Sequence, residues 1–297
     1  MEAATTPSLA LEELAGRIRP KLHRYCARMT GSVIDGEDVL QDALIKAFAA
    51  LARGESVKNL ESWLFRIAHN TALDFLRSRA RRDAIRADAD LETFVDPNSL
   101  LEERELVATS LRTFMRLPTV QRSSVILMDV LGYSLDEIGE IMSASLPAVK
   151  SALHRGRARL RELAQEPEDA APAALEAHQQ SLLAAYVDRF NARDFDAVRR
   201  MLADEVRLDL VNKTRMRGRN EVAHYFSNYA SVVDWRFRMG MVEGRPAALV
   251  YEEPESRTPA YFILLDWAGG GLANIRDFRY ARYVTDGAEF ATWELPK

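Results

Sequence analysis

Ser134-Leu135-Asp136-Glu137-Ile138-Gly139-Glu140-Ile141-Met142-Ser143-Ala144-Ser145-Leu146-Pro147-Ala148-Val149-Lys150-Ser151-Ala152-Leu153-His154-Arg155 reads as two helices joined by a short turn. Ser134 and Glu137 have the spacing of a capping box, in which hydroxyl and carboxylate each take the other residue's amide hydrogen. The helix that follows, Leu135–Met142, turns Leu135, Ile138, Ile141 and Met142 inward, and Gly139 leaves room for a close neighbour. Ser143-Ala144 turns the chain. Ser145 is placed to cap the next helix, with Pro147 in the first turn, where a missing amide matters least. That second helix hides Val149 and Leu153 and presents Lys150, Ser151 and His154. In a helix-turn-helix the second helix enters the major groove and its N-terminal residues reach base edges. Arg155, Arg157, Arg159 and Arg161 continue along it toward phosphates, whose neutralisation releases counterions. A solvated basic helix is the plain alternative for the charge run taken alone; capping box, turn and basic helix together point to DNA.

A formal net charge of −4 sits uneasily with that reading, but a local patch meets phosphate, not the total. Arg77, Arg79, Arg81, Arg82 and Arg86 form one basic cluster, and Lys150 to Arg161 a second. Acidic residues gather elsewhere, at Asp35, Glu37, Asp38 and Asp42. A chain of 297 residues suggests two or three compact units. No stretch approaches the ~20 apolar residues of a membrane span, and Met1–Ala10 lacks the pattern of a secretion signal. Cys26 is the single cysteine, so no internal disulfide forms, and it reads as a small core residue. The five histidines are scattered without metal-site spacing. The cytoplasm is the expected location, and no cofactor is expected.

Upstream, apolar residues recur at helical spacing from Leu9 to about Arg82. One helix covers Asp38–Leu51; after a break at Arg53–Asn59 another runs from about Leu60 to Ser78. Downstream, helices at Leu182–Asn191 and Asp194–Leu202 precede strand-like runs at Val206–Val211, Trp235–Val242, Ala247–Glu252, Tyr261–Trp267 and Ala273–Tyr280. Gly269-Gly270-Gly271 marks a hairpin turn between the last two. Helices followed by antiparallel strands predict an α+β unit.

Leu117-Pro118-Thr119-Val120-Gln121-Arg122, Tyr133 to Gly139, Val149-Lys150-Ser151 and His154-Arg155-Gly156-Arg157 resemble the fourth domain of extracytoplasmic-function sigma factors. Asp35 to Asp42 and Trp63-Leu64-Phe65-Arg66-Ile67-Ala68-His69-Asn70, with Asp74 and Arg77, resemble the second. The resemblance implies a transcription-initiation factor whose partners are core RNA polymerase, through the β′ coiled coil and the β flap, and promoter DNA. It implies a −35 element read by Ser145, Lys150, Ser151, His154, Arg155 and Arg157. It implies a −10 element met by Trp63, Asn70, Asp74, Arg77 and Arg81, and a polymerase-facing patch of Asp38, Gln41 and Asp42. For Trp63 a core position is an equal reading, and for the acidic patch an ordinary solvated face. The loop Gly54–Asn59 resembles the element that captures a flipped −10 base. Family members often carry Thr and Arg where this chain has Ala148 and Ala152, so the family's base preference does not carry over.

Ala185-Tyr186, Phe190 to Asp194, Leu202 to Val206, Gly218 to Val222 and Ile275 to Tyr280 resemble SnoaL-like domains. These are α+β cones in which a curved antiparallel sheet wraps a pocket. Tyr186, Asp209, Tyr225 and Asp277 are the candidates to line it, each with a hydrogen-bonded structural role as the simpler reading. The fold expected is therefore multidomain. Residues 1–85 and 100–164 form two all-α domains, the second with the helix-turn-helix; residues 176–297 form the cone; 86–99 and 165–175 are linkers. Fusion to such domains implies regulation in cis and no enzyme. The glycine-rich linker motif DGGGK of one fused group is absent. Two rivals stay open at this point: an enzyme or sensor with a small-molecule ligand in the C-terminal domain, and a dimeric repressor that needs no polymerase.

Overall fold

The computed structural model describes residues 7–86, 110–164, 176–230, 235–253 and 255–292. The chain divides into two compact units, Met1–Glu168 and Asp169–Lys297. Residues 87–99 of the first expected linker and all of the second, 165–175, lie outside the described residues.

The first unit is helical. α1 (Pro7–Thr30), α2 (Val33–Ala52) and α3 (Leu60–Arg86) form its N-terminal half. Ser32 starts α2 by accepting the Asp35 amide at 3.0 Å, and Asn59 starts α3 by accepting that of Ser62 at 3.1 Å. α3 runs about two turns past the expected end at Ser78. Arg79, Ala80, Arg81 and Arg82 are good helix formers, and no Gly or Pro intervenes to stop it earlier. The C-terminal half comprises α4 (Leu111–Met115), α5 (Thr119–Val125), a wide π turn at Ile126–Val130, α6 (Leu135–Met142) and α7 (Leu146–Leu163).

The two halves share one core. Leu22, Tyr25, Met29, Leu64 and Phe65 from the first belong to the same apolar cluster as Phe114, Leu117, Ile126, Tyr133 and Ile138 from the second. Gly31, at φ +77°, makes the close approach possible: a Cβ there would lie 2.3 Å from Met115 Cγ. Arg122, 5% exposed, crosses the junction. Its guanidinium donates to the carbonyls of Met29 (2.6 Å), Met115 (3.0 Å) and Leu117 (2.9 Å). The Tyr133 hydroxyl donates to Glu61 at 2.6 Å. Lys21, which pairs with the same carboxylate at 2.9 Å, lies 3.9 Å from the Tyr133 ring centre.

In the second unit α8 (Ala177–Asn191), α9 (Phe195–Arg200) and α10 (Arg219–Ala230) accompany a seven-stranded sheet. Its strands are β1 (Leu202–Leu210), β2 (Thr214–Arg217), β3 (Arg236–Val242), β4 (Arg245–Tyr251), β5 (Tyr261–Ala268), β6 (Gly271–Asp277) and β7 (Phe290–Thr292), in the order β2-β1-β6-β5-β4-β3-β7. The expected antiparallel sheet contains one parallel pair, where β6 returns alongside β1. β2 and β7 escape a reading of the sequence because they are short and carry no buried run. Phe190 stacks on Phe237 at 4.2 Å, and the Asn191 amide brackets the Phe237 backbone with two 2.9 Å hydrogen bonds. These contacts fix α8 on β3.

Candidate nucleic-acid interface

The capping box at Ser134 is present: the Glu137 carboxylate accepts the Ser134 amide at 2.8 Å and the Ser134 hydroxyl accepts the Glu137 amide at 3.4 Å. Ser143 closes α6 in the left-handed region at φ 52°, and Ala144 donates back to the Gly139 carbonyl at 2.9 Å. Gly139 keeps its place there, since a Cβ would come within 3.0 Å of the Ala144 oxygen. Ser145 stands at the start of α7, but its side chain makes no capping hydrogen bond.

Along α7, Val149, Ala152, Leu153, Gly156, Ala158 and Leu160 are buried. Pro147, Ala148, Lys150, Ser151, His154 and Arg155 are exposed. Arg155 donates to the Ser151 hydroxyl at 2.8 Å, which aims the guanidinium along the exposed face. Arg157 is drawn toward the body of the domain. Both arms of its guanidinium bond the carboxylate of Asp129, Nε at 2.9 Å, so it is an internal strut on the π turn. Arg159 is likewise occupied by Glu162 at 2.6 Å, and Arg161 is partly buried. The basic run therefore narrows to Lys150 and Arg155 on the exposed face. The buried Ala152 also shows that an apolar residue there takes nothing from that face.

Arg66, Asn70, Asp74, Arg77 and Arg81 are all exposed and recur every three or four residues along α3, forming one stripe. Asp74 lies 3.4 Å from Arg77 and 3.9 Å from Lys46, and Arg81 donates to the Arg77 carbonyl at 3.3 Å. Arg66 belongs to this stripe, although in the sequence it stands out only as part of a motif. Trp63 does not: it is 8% exposed and sits in the shared core. The loop before it, Gly54–Asn59, is exposed except for Val57, which packs against the core.

On α2, Asp38 and Asp42 are exposed and Gln41 is half-buried. Ile45, seven residues after Asp38, continues the same face and is 66% exposed. A helical wheel would have marked it, since an isoleucine facing outward breaks the apolar pattern of α2. Behind this face, the fully buried Glu37 is held by Arg19 at 2.5 Å.

In the second unit the four candidate pocket residues separate. Asp277 is fully buried; one carboxylate oxygen accepts from the hydroxyls of Tyr225 (2.6 Å) and Tyr229 (2.9 Å), the other from the Arg279 amide (2.8 Å). Tyr261 lies 3.2 Å from Tyr229. Burial raises the Asp277 carboxyl above the usual range despite these donors. Burial and the Asp277 charge raise Tyr225, Tyr229 and Tyr186. The Tyr186 hydroxyl is buried without a hydrogen-bond partner among the described residues. Asp209 is not part of this cage. It alternates with the core residues Leu208 and Leu210, and it lines a groove of 540 Å³ with Arg215 and Arg276, at 3.4 and 3.6 Å. Tyr229 and Tyr261 join the cage without having been candidates, although Tyr229 follows Tyr225 by one helical turn. Among the described residues no helix is long and apolar enough to cross a membrane, and no group of His, Cys, Asp and Glu could hold a metal.

Comparison with known families matches residues 14–82 to sigma-70 region 2, 111–160 to sigma-70 region 4 and 183–258 to the SnoaL-like domain. The ECF RNA polymerase sigma factor SigG of Mycobacterium tuberculosis is 28% identical over 290 residues, covering 88% of this chain and 78% of that protein. The ECF RNA polymerase sigma-E factor of Escherichia coli is 34% identical over 150 residues, covering 46% of this chain and 78% of that protein. The crystal structure of the extracytoplasmic function sigma factor SigJ of M. tuberculosis aligns over 90% of this chain and 95% of its own, at 18% identity and a TM-score of 0.35. The chain belongs to the ECF RNA polymerase sigma factors, which bind core RNA polymerase and direct initiation from promoters, and it carries a SnoaL-like domain at its C-terminal end.

Proposed function

We propose that the exposed face of α7 reads the −35 element. Lys150, Ser151, His154 and Arg155 face the major groove, with Ser145 at the helix start. Arg157 supports this face through Asp129. The −10 element is met by the α3 stripe, in which Asn70, Arg77 and Arg81 face the strand and Asp74 orients Arg77. Asp38, Gln41 and Asp42, extended by Ile45, dock on the β′ coiled coil, and the domain of residues 100–164 meets the β flap. The observation that carries the reading is the segregation on α7: every inward position is apolar, while a serine-aimed arginine and a lysine stand outward.

The test is promoter binding by holoenzyme assembled from core polymerase and the full chain. Each phosphate contact contributes about −0.9 to the slope of log affinity against log salt. Lys150→Ala or Arg155→Ala is expected to weaken promoter binding and to flatten that slope by about one, with core affinity unchanged. Unchanged affinity and slope in both variants would sink the assignment. Asp42→Lys is expected to lose core affinity instead. Tight promoter binding without core polymerase would favour the repressor reading.

The C-terminal domain regulates these activities in cis. Its buried carboxylate is sealed by tyrosines and Asp209 stands apart, so the four candidate residues do not assemble an acid–base site. This supports regulation over turnover, with any small-molecule ligand acting as a signal. Removing residues from about 172 onward is expected to change promoter-directed transcription; equal activity and equal core affinity with and without the domain would count against it.

A further inference from the structure

The first turn of α7 is apolar where the rest of its exposed face is polar. Leu146 is 38% exposed, one of few large apolar side chains in the described residues left this open to solvent. Pro147 and Ala148 are exposed beside it. In an α-helix, residues three and four apart share a face. Ala148 and Pro147 precede Ser151 by three and four residues, so they lie in line with Ser151 and Arg155; Leu146 precedes Lys150 by four and flanks the same surface. None of the three side chains can donate or accept a hydrogen bond, and proline also lacks an amide hydrogen.

The opening residues of a recognition helix are those that reach deepest toward base edges. Polar edges of guanine, cytosine and adenine pressed against this turn would lose water and gain no partner. The thymine 5-methyl is the one apolar group that the major groove displays. We propose that Pro147 and Ala148, flanked by Leu146, are specificity-determining residues that select thymine in the −35 element through its methyl group, while Lys150, Ser151 and Arg155 supply the polar and phosphate contacts. The inference rests on the assignment of α7 to the major groove, and it adds which base the helix favours and by what chemistry. Two further features of the turn suit it. Pro147 fixes the backbone at the helix start, so the apolar surface is presented without an ordering cost. Val149, behind it, is buried in the shared core and anchors the turn.

The experiment uses holoenzyme of the full chain and a promoter library randomised at the −35 element. Selection is expected to enrich thymine at one or two adjacent positions. Deoxyuridine at those positions keeps base pairing and removes only the methyl group. Affinity is expected to fall about fourfold per thymine replaced, the effect of withdrawing one buried methyl. Leu146→Ser and Ala148→Gly are expected to reduce the thymine-over-uracil ratio toward one, with core polymerase affinity unchanged. Holoenzyme that binds the selected promoters but treats thymine and uracil alike overturns the proposal alone. Selection of a guanine or cytosine opposite this turn also overturns it. Holoenzyme that binds no promoter fragment overturns it together with the major-groove assignment.

Discussion

Arg122 and Asp277 are ionisable groups sealed from water, one in each compact unit, and the chain accommodates them in opposite ways. Asp277 is answered by side chains and an amide of its own domain: two tyrosines of α10 and the Arg279 N–H, all on or beside one sheet. Arg122 is answered by backbone carbonyls, one of them Met29, 93 residues earlier in the chain and on the other half of the first unit. The carboxylate therefore organises a single domain, whereas the guanidinium ties two domains to each other. Burial lowers Arg122 to about 10, which still leaves it charged at neutral pH. Both groups fill buried space, but only one bridges.

The largest expected effect tests that bridge. Arg122→Ala leaves three carbonyls without their donor, at about 1–3 kcal/mol for each buried acceptor that water does not reach. The first unit is expected to lose about 3 kcal/mol or more in denaturant unfolding, with the second unit's transition unmoved. A loss below about 1 kcal/mol would mean that water replaces the guanidinium and that the bridge is slack.

Next comes His69, buried behind the same junction with its Nδ1 2.7 Å from the Tyr25 hydroxyl. Burial depresses the ring to about 4, below the ~6.5 of a free imidazole. The folded state therefore favours the neutral ring. Its contribution is intact above pH ~6.5 and is lost as pH falls toward 4, by about 3 kcal/mol in all. His69→Gln is expected to flatten that acid limb for the first unit only; an unchanged limb would place the acid sensitivity elsewhere.

Tyr133→Phe removes one hydrogen bond to a carboxylate while keeping the ring over Lys21, and is expected to cost about 1–2 kcal/mol. Combined with Glu61→Gln, which also weakens the Lys21 pair, it should cost less than the sum of the two single variants, because they share the Tyr133–Glu61 hydrogen bond. Full additivity would show that they act apart. Asp277→Asn comes last. It keeps shape but turns one of two accepting oxygens into an amide donor, so stability at pH 7 is expected to fall by about 1 kcal/mol. The raised carboxyl favours the fold in acid and its contribution fades as pH rises through the folded pKa. The asparagine variant should lack that gain on acidification, and a second unit whose pH profile is identical in both forms would show that Asp277 keeps its solution pKa.

The comparison also marks what could be read from residues in order. The two helices and the turn of the helix-turn-helix were legible, because a capping box, an apolar period and a Ser–Ala turn are local signals. The alternation of β1 and the glycine hairpin between β5 and β6 were legible for the same reason. Contacts between distant segments were not. Arg157 looks like its neighbours until Asp129, 28 residues earlier, is folded beneath it. Asp209 and Asp277 both look like pocket acids until the parallel return of β6 puts them on opposite faces. Trp63 and Arg122 each carry a group that suits nucleic acid, and both are consumed by the junction between the halves.

That junction limits where the protein can be at the moment it works. With α7 on the −35 element and α3 on the −10, the two contacts lie about 25 base pairs apart by the elements' names, roughly 85 Å of duplex at ~3.4 Å per step. A compact body of this unit's size has a radius of gyration of about 15 Å. While Arg122 holds the Met29 carbonyl and Tyr133 holds Glu61, one molecule cannot touch both sites. If α7 and α3 serve those two elements, promoter engagement requires these bonds to part, and the transcribing factor would hold its two halves further apart than the free one.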